Sequence, residues 1–177
     1  MKIILLFFIS FISVLSQAQT GKLIYGSTVQ TEGRSKDELY LTAKMWFATE
    51  FKNNVVQENE AEGRLSAAAF FEYQPSSQSD ARAKGRIKYT VTILVKDGQY
   101  EYEITDFRQE PSNRSKGISV GLLTNSDVFP DRKDKQKEVK DKIWKDIKNE
   151  LNSLVFPVYL SLNEAMNTTN VPNRSGK

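Results

Sequence analysis

The stretch Ile87-Lys88-Tyr89-Thr90-Val91-Thr92-Ile93-Leu94-Val95-Lys96-Asp97-Gly98-Gln99-Tyr100-Glu101-Tyr102-Glu103-Ile104 decides the fold. From Ile87 to Val95 apolar side chains occupy alternate positions, the period of a strand with one buried face. The run stops at Asp97-Gly98, a pair that accepts the positive φ angles of a two-residue hairpin turn. That turn sets a register in which Lys96 opposes Gln99, Val95 opposes Tyr100, Ile93 opposes Tyr102 and Val91 opposes Ile104. Every apolar residue meets an apolar partner. The opposite face collects Lys88, Thr90, Thr92, Glu101, Glu103 and Thr105, as a sheet with one side in water requires.

Toward the amino terminus, Gln74 to Lys84 carries Pro75 and several serines without periodicity and is expected to be a loop. Before it, Leu65, Ala67, Ala69, Phe71 and Tyr73 alternate as in a strand. Val55-Val56 and the turn Glu60 to Gly63 make that strand the second half of a hairpin. Further upstream, Ser35 and Glu38 have the spacing of a capping box, in which hydroxyl and carboxylate each satisfy an amide at a helix start. A helix is predicted from Lys36 to about Lys52, with Leu39, Tyr40, Ala43, Trp46, Phe47 and Phe51 on one face. Leu23 to Gln30 is expected to form a first strand with Leu23, Tyr25 and Val29 on one side.

Toward the carboxyl terminus, Gln109 to Pro130 is longer than a compact domain keeps without structure. Ile118, Val120 and Leu122 alternate within it, either as a sixth edge strand or as a flap over the sheet. A long helix is predicted from Lys133 to about Val155, its stripe made of Val139, Ile143, Trp144, Ile147, Leu151 and Leu154. Pro157 is expected to close it, because the residue before a proline disfavours helical geometry. The interspersed charges around that stripe suit a solvated face with pairs such as Asp141 and Lys145. Residues 22–156 are therefore read as a single domain, and residues 157–177 as a short apolar segment and polar tail.

The first residues, Met1-Lys2 followed by an uncharged apolar run from Ile3 to Leu15 and then Ser16-Gln17-Ala18, have the pattern of a secretory signal peptide cut after Ala18. An exported protein, periplasmic or secreted, is the expectation. The apolar run is short of the roughly 20 residues that a membrane-spanning helix needs, so no stable anchor is expected after cleavage. The chain contains no cysteine, which excludes a lipid-modified cysteine and any disulfide.

Histidine is absent as well, which removes imidazole general bases, Ser-His-Asp and Cys-His arrangements, and His- or Cys-type zinc sites. Ser115-Lys116 is a poor nucleophile pair, since neighbours in an extended loop point apart. Glu101 and Glu103 share a strand face at a separation suited to paired-carboxylate hydrolysis, yet any half-exposed strand places its charges there. Glu58, Glu60 and Glu62 lack the Asp-rich spacing of a calcium loop, and Gly117 and Gly121 open no phosphate-binding helix. No cofactor and no metal are expected. A net charge of +3 with mixed signs gives no dedicated nucleic-acid surface. The candidate binding residues are Lys88, Thr90, Thr92, Glu101 and Glu103 on the exposed sheet face. They suit a non-catalytic envelope module whose partner is a protein, peptide or glycan; the alternative is a carboxylate-based hydrolase acting on cell-wall or dietary polymer. A third possibility is that Gln109 to Pro130 closes over the sheet to trap an apolar ligand.

The helix Leu39-Tyr40-Leu41-Thr42-Ala43-Lys44-Met45-Trp46-Phe47, the hairpin Ile87 to Tyr100 and the following Ile104-Thr105-Asp106-Phe107 resemble an uncharacterised family of exported bacterial proteins, domain of unknown function 4468 with a TATA-binding-protein-like fold. The resemblance covers Leu23 to Phe107, and the terminal helix by position. It implies an α+β fold, in the order β-α-β-β-β-β-α, with a curved antiparallel sheet of five or six strands and two long helices packed on one face. It carries no catalytic residue. A TATA-binding protein joins two such halves, and this chain has length for one.

Overall fold

The structure is a computed structural model that describes residues 21–52 and 56–168; the expected signal peptide, residues 53–55 with the expected strand start at Val55, and the polar tail from residue 169 lie outside the described residues. An antiparallel six-stranded sheet is built from β1 (Tyr25–Gln30), β2 (Val56–Asn59), β3 (Arg64–Tyr73), β4 (Gly85–Lys96), β5 (Gln99–Pro111) and β6 (Gly121–Leu122). The order across it is β1-β5-β4-β3-β2, with β6 also on β5. Because β4 pairs β5 from Gln99 to Pro111, β6 lies on the same edge as β1. The expected hairpin register is present pair for pair, from Lys96 opposite Gln99 to Val91 opposite Ile104.

Helix α1 (Lys36–Glu50) starts on the expected capping box. The Glu38 amide donates to Ser35 Oγ and the Ser35 amide donates to the Glu38 carboxylate. Its first turn is fastened to the β4–β5 turn, where the Lys36 amide donates to Asp97 at 2.8 Å. The predicted stripe Leu39, Tyr40, Ala43, Trp46, Phe47 and Phe51 is buried throughout. It packs on the face that carries Ile87, Tyr89, Val91, Ile93 and Val95.

Helix α2 (Lys137–Asn167) corrects the sequence expectation at both ends. It begins later than Lys133, after Asp134 accepts the Gln136 amide in a turn. It also passes through Pro157 and runs ten residues further. Proline inside a helix removes one N–H and crowds the preceding turn. Here Pro157 faces solvent, while Val155, Leu162 and Met166 on either side of it are buried against the core. Apolar burial along the whole stripe outweighs one missing hydrogen bond. Trp46 of α1 donates through Nε1 to Ser161 of α2 at 2.8 Å, so both helices cover one face.

Two corrections concern β5. The ladder with β4 shifts between Lys88 and Thr90, and Asp106 takes a φ of 58°. This extra residue is a β-bulge, so the buried series Tyr100, Ile104 continues as Phe107 and Gln109. Thr105, expected in water, is buried, and its hydroxyl donates to the Leu23 carbonyl. The Gln109 side chain is also buried and satisfied. Its Nε2 donates to the carbonyls of Ala83 and Ile118, and its Oε1 accepts the Val120 amide. Those bonds draw 118–123 against the sheet, giving the sixth strand. The alternation there is interrupted at Gly121 (φ 69°), so Ile118, Val120 and Leu123 are buried and Leu122, expected inward, is exposed.

Candidate binding surface

With α1 and α2 on one side, no element among the described residues covers the opposite face of the sheet. Strand alternation places Ser66, Ala68, Phe70 and Glu72 of β3 on it, beside Arg86, Lys88, Thr90, Thr92 and Leu94 of β4. Glu101 and Glu103 continue the rows on β5, where Thr92 opposes Glu103 and Leu94 opposes Glu101. The sequence candidates Lys88, Thr90, Thr92, Glu101 and Glu103 therefore share one surface, and Thr105 drops out of it.

Charges on this face pair across strands. Lys88 lies 2.8 Å from Glu110, Lys96 lies 2.8 Å from Glu101, and Arg86 lies 3.1 Å from Glu72. The Arg86 guanidinium also covers the Phe70 ring at 4.0 Å. Lys88 holds the Glu110 carboxyl below the usual range, chiefly by hydrogen bonding. Between these pairs Ser66, Ala68, Thr90 and Thr92 form a floor of small, uncharged side chains.

The other sequence candidates stay apart from this surface. Ser115 donates to Asn113 Oδ1 through both its amide and its hydroxyl, which folds the loop and leaves Lys116 exposed. Glu58 is engaged by Lys44 at 2.6 Å, and Glu62 lies near Arg64. Among the described residues no group of three or more acidic side chains could hold a metal ion, and no helix is long and apolar enough to cross a membrane.

One feature escaped sequence reasoning. Strand β2 pairs β3 only from Arg64 to Ala67, although β3 runs on to Tyr73. Among the described residues, no strand covers Ala68–Tyr73 on the side away from β4. A cavity of about 200 Å³ adjoins that edge, lined by Trp46, Glu50, Phe51, Ala69, Phe70, Tyr89 and Val158. Burial, together with the Glu50 carboxylate, pushes the Tyr89 hydroxyl up to about 12. The available signal was the contrast in length between the short run before Glu60 and the long one after Gly63.

Residues 25–110 match the family described as domain of unknown function (DUF4468) with TBP-like fold. The DUF4468 match spans β1 to β5 together with α1. Two solved structures are similar to the chain. One is a TBP-like protein from Parabacteroides distasonis ATCC 8503, with a TM-score of 0.61 and 21% identity over 85% of this chain and 96% of that one. The other is a DUF4468 family protein from Bacteroides ovatus ATCC 8483, with a TM-score of 0.59 and 16% identity over 84% of this chain and 88% of that one. At these identities the likeness shows the fold alone. Residues 25–110 are less than half of the chain, so an overlap of 85% carries the shared fold beyond the DUF4468 segment. No curated protein matches the sequence.

Proposed function

We propose that this protein is an exported, non-catalytic module of the bacterial envelope that binds a polypeptide partner through its sheet. The face opposite the helices carries the proposal: its floor of Ser66, Ala68, Thr90 and Thr92 is flanked by mutually neutralised charges. A surface of this kind is cheap to desolvate at its centre and polar at its rim, as protein interfaces are. Export is supported by Met1-Lys2, the apolar run to Leu15 and the small residues Ser16 and Ala18.

The test is the combined variant Lys88→Glu, Thr92→Arg, Glu103→Lys. Partners recovered with the unchanged protein from its own envelope fraction should be lost with this variant. Full retention of every partner would end the face reading. Export has its own measurement, since mass spectrometry of the exported protein should find Gln19 as the first residue.

A further inference from the structure

We infer that the sheet face opposite the helices binds a second copy of this chain about a two-fold axis, with Arg108 of each protomer on Glu103 of the other. The inference names the partner of the surface described above and rests on that binding reading.

Opposed residues of neighbouring strands turn their side chains to the same face, so the register lays the charges of this face out in rows. Lys88, Arg86 and Lys96 are taken by Glu110, Glu72 and Glu101, and Arg64 lies 3.8 Å from Glu62. Two exposed charges of opposite sign are left, both on β5. Among the described residues neither Glu103 nor Arg108 makes an ion pair. The undescribed residues hold no Asp or Glu that would serve Arg108. Arg108 also stands directly opposite Lys88. Like charges so placed repel, and a carboxylate arriving from a second molecule relieves the repulsion.

The placement of the two is self-complementary. Thr90 opposes Thr105 in the row between them; Glu103 opposes Thr92 on one side of that row, and Arg108 opposes Lys88 on the other. A two-fold axis between two stacked sheets, running across the strands at the Thr90–Thr105 row, carries Arg108 over the partner's Glu103. The same rotation repeats the contact in reverse, as an isologous interface requires. The small side chains of Ser66, Thr90 and Thr92 let two sheets approach to the usual spacing of about 10 Å. The area also fits. With β4 at 12 residues, a face four strands wide measures about 40 Å by 19 Å, close to the roughly 800 Å² per partner of a standard interface. An acidic peptide would leave Glu103 unmatched, and an anionic membrane would meet Glu72, Glu101, Glu103 and Glu110 along with the cations. A second copy matches both free charges.

Sedimentation of the purified protein from micromolar to millimolar concentration should show a monomer–dimer equilibrium. Arg108→Glu and Glu103→Lys each place two like-charge contacts in the dimer, and each should weaken it by at least about tenfold. The double variant Arg108→Glu, Glu103→Lys reverses both contacts and should regain the affinity of the unchanged protein to within about threefold. An equimolar mixture of the two single variants should associate as well, because every contact is again between opposite charges. A dimer that survives both single changes would overturn this face as its interface, and a double variant as weak as the single ones would overturn the Arg108–Glu103 contact. A protein that stays monomeric at millimolar concentration would overturn the second copy. If envelope partners are then still lost with the Lys88→Glu, Thr92→Arg, Glu103→Lys variant, the binding reading stands with a foreign polypeptide; if every partner is retained, that reading falls too. Arg108-dependent binding of the monomer to phosphatidylglycerol vesicles would replace the second copy by a membrane.

Discussion

Tyr73, at the end of β3, donates its hydroxyl to the Asp146 carboxylate of α2 at 2.6 Å, and the same carboxylate accepts the Ser76 amide. One side chain thus ties the sheet, the loop after β3 and the long helix together. Tyr73→Phe should cost about 1.5–3 kcal/mol, the range for hydrogen bonds to charged groups. Urea unfolding midpoints of the two proteins measure this, and an unchanged midpoint would mean that the bond is offset by hydration.

Alkaline pH should loosen the core. Burial pushes Tyr100 up to about 12, as it does Tyr89, and it raises Tyr73 with a further contribution from Asp146. The folded protein therefore favours the neutral phenols. Their stabilisation is fully present below pH 10, roughly where unfolded tyrosine titrates, and is lost as pH rises toward 12. Absorbance at the phenolate band should rise together with the loss of far-ultraviolet circular dichroism; free titration before any unfolding would contradict the burial.

Gln109 replaced by leucine should lose more than its own bonds. The change keeps an apolar volume but orphans the Ala83 and Ile118 carbonyls and the Val120 amide. An unsatisfied buried group costs about 1–3 kcal/mol, so the variant should be destabilised by at least that amount. Faster hydrogen exchange at Val120 than in the unchanged protein would locate the effect, and identical exchange would refute it.

The bulge at Asp106 makes a two-sided prediction. A φ of 58° is uncommon for a residue with a side chain and severe for a β-branched one. Asp106→Gly should be neutral or stabilise by up to about 1 kcal/mol, since the ion pair it gives up to Lys22 is exposed. Asp106→Val should destabilise. Matching midpoints for the two variants would argue against the positive φ.

Pro157→Ala should stabilise the protein. The helix already runs through this exposed position, and alanine restores an N–H to it. Proline also restricts the unfolded chain, which offsets part of the gain, so a net increase of about 1–2 kcal/mol is expected from the difference in helix propensity. Thermal unfolding measures it, and a lower midpoint would show that the proline is needed for packing.

Much of the architecture could be read along the chain because its causes are local. The Asp97-Gly98 turn dictated the β4–β5 register, and Ser35 with Glu38 located the start of α1. The candidate face followed from the same alternation, which is why Lys88, Thr90, Thr92, Glu101 and Glu103 came out together. The bulge left a trace in the odd step from Ile104 to Phe107, and only the ladder with Tyr89 gives that step a meaning.

By itself, then, the sequence determined the α+β pattern, the inward and outward faces of the central hairpin, the absence of thiol and imidazole chemistry, and the likeness of residues 25–110 to DUF4468. Only the tertiary structure decided the course of α2 through Pro157, the bulge at Asp106, and the burial of Thr105 and Gln109. These depend on contacts between residues far apart in the chain. Local propensity says what one segment prefers, whereas burial against a distant partner decides whether a proline is tolerated inside a helix and whether a polar side chain turns inward.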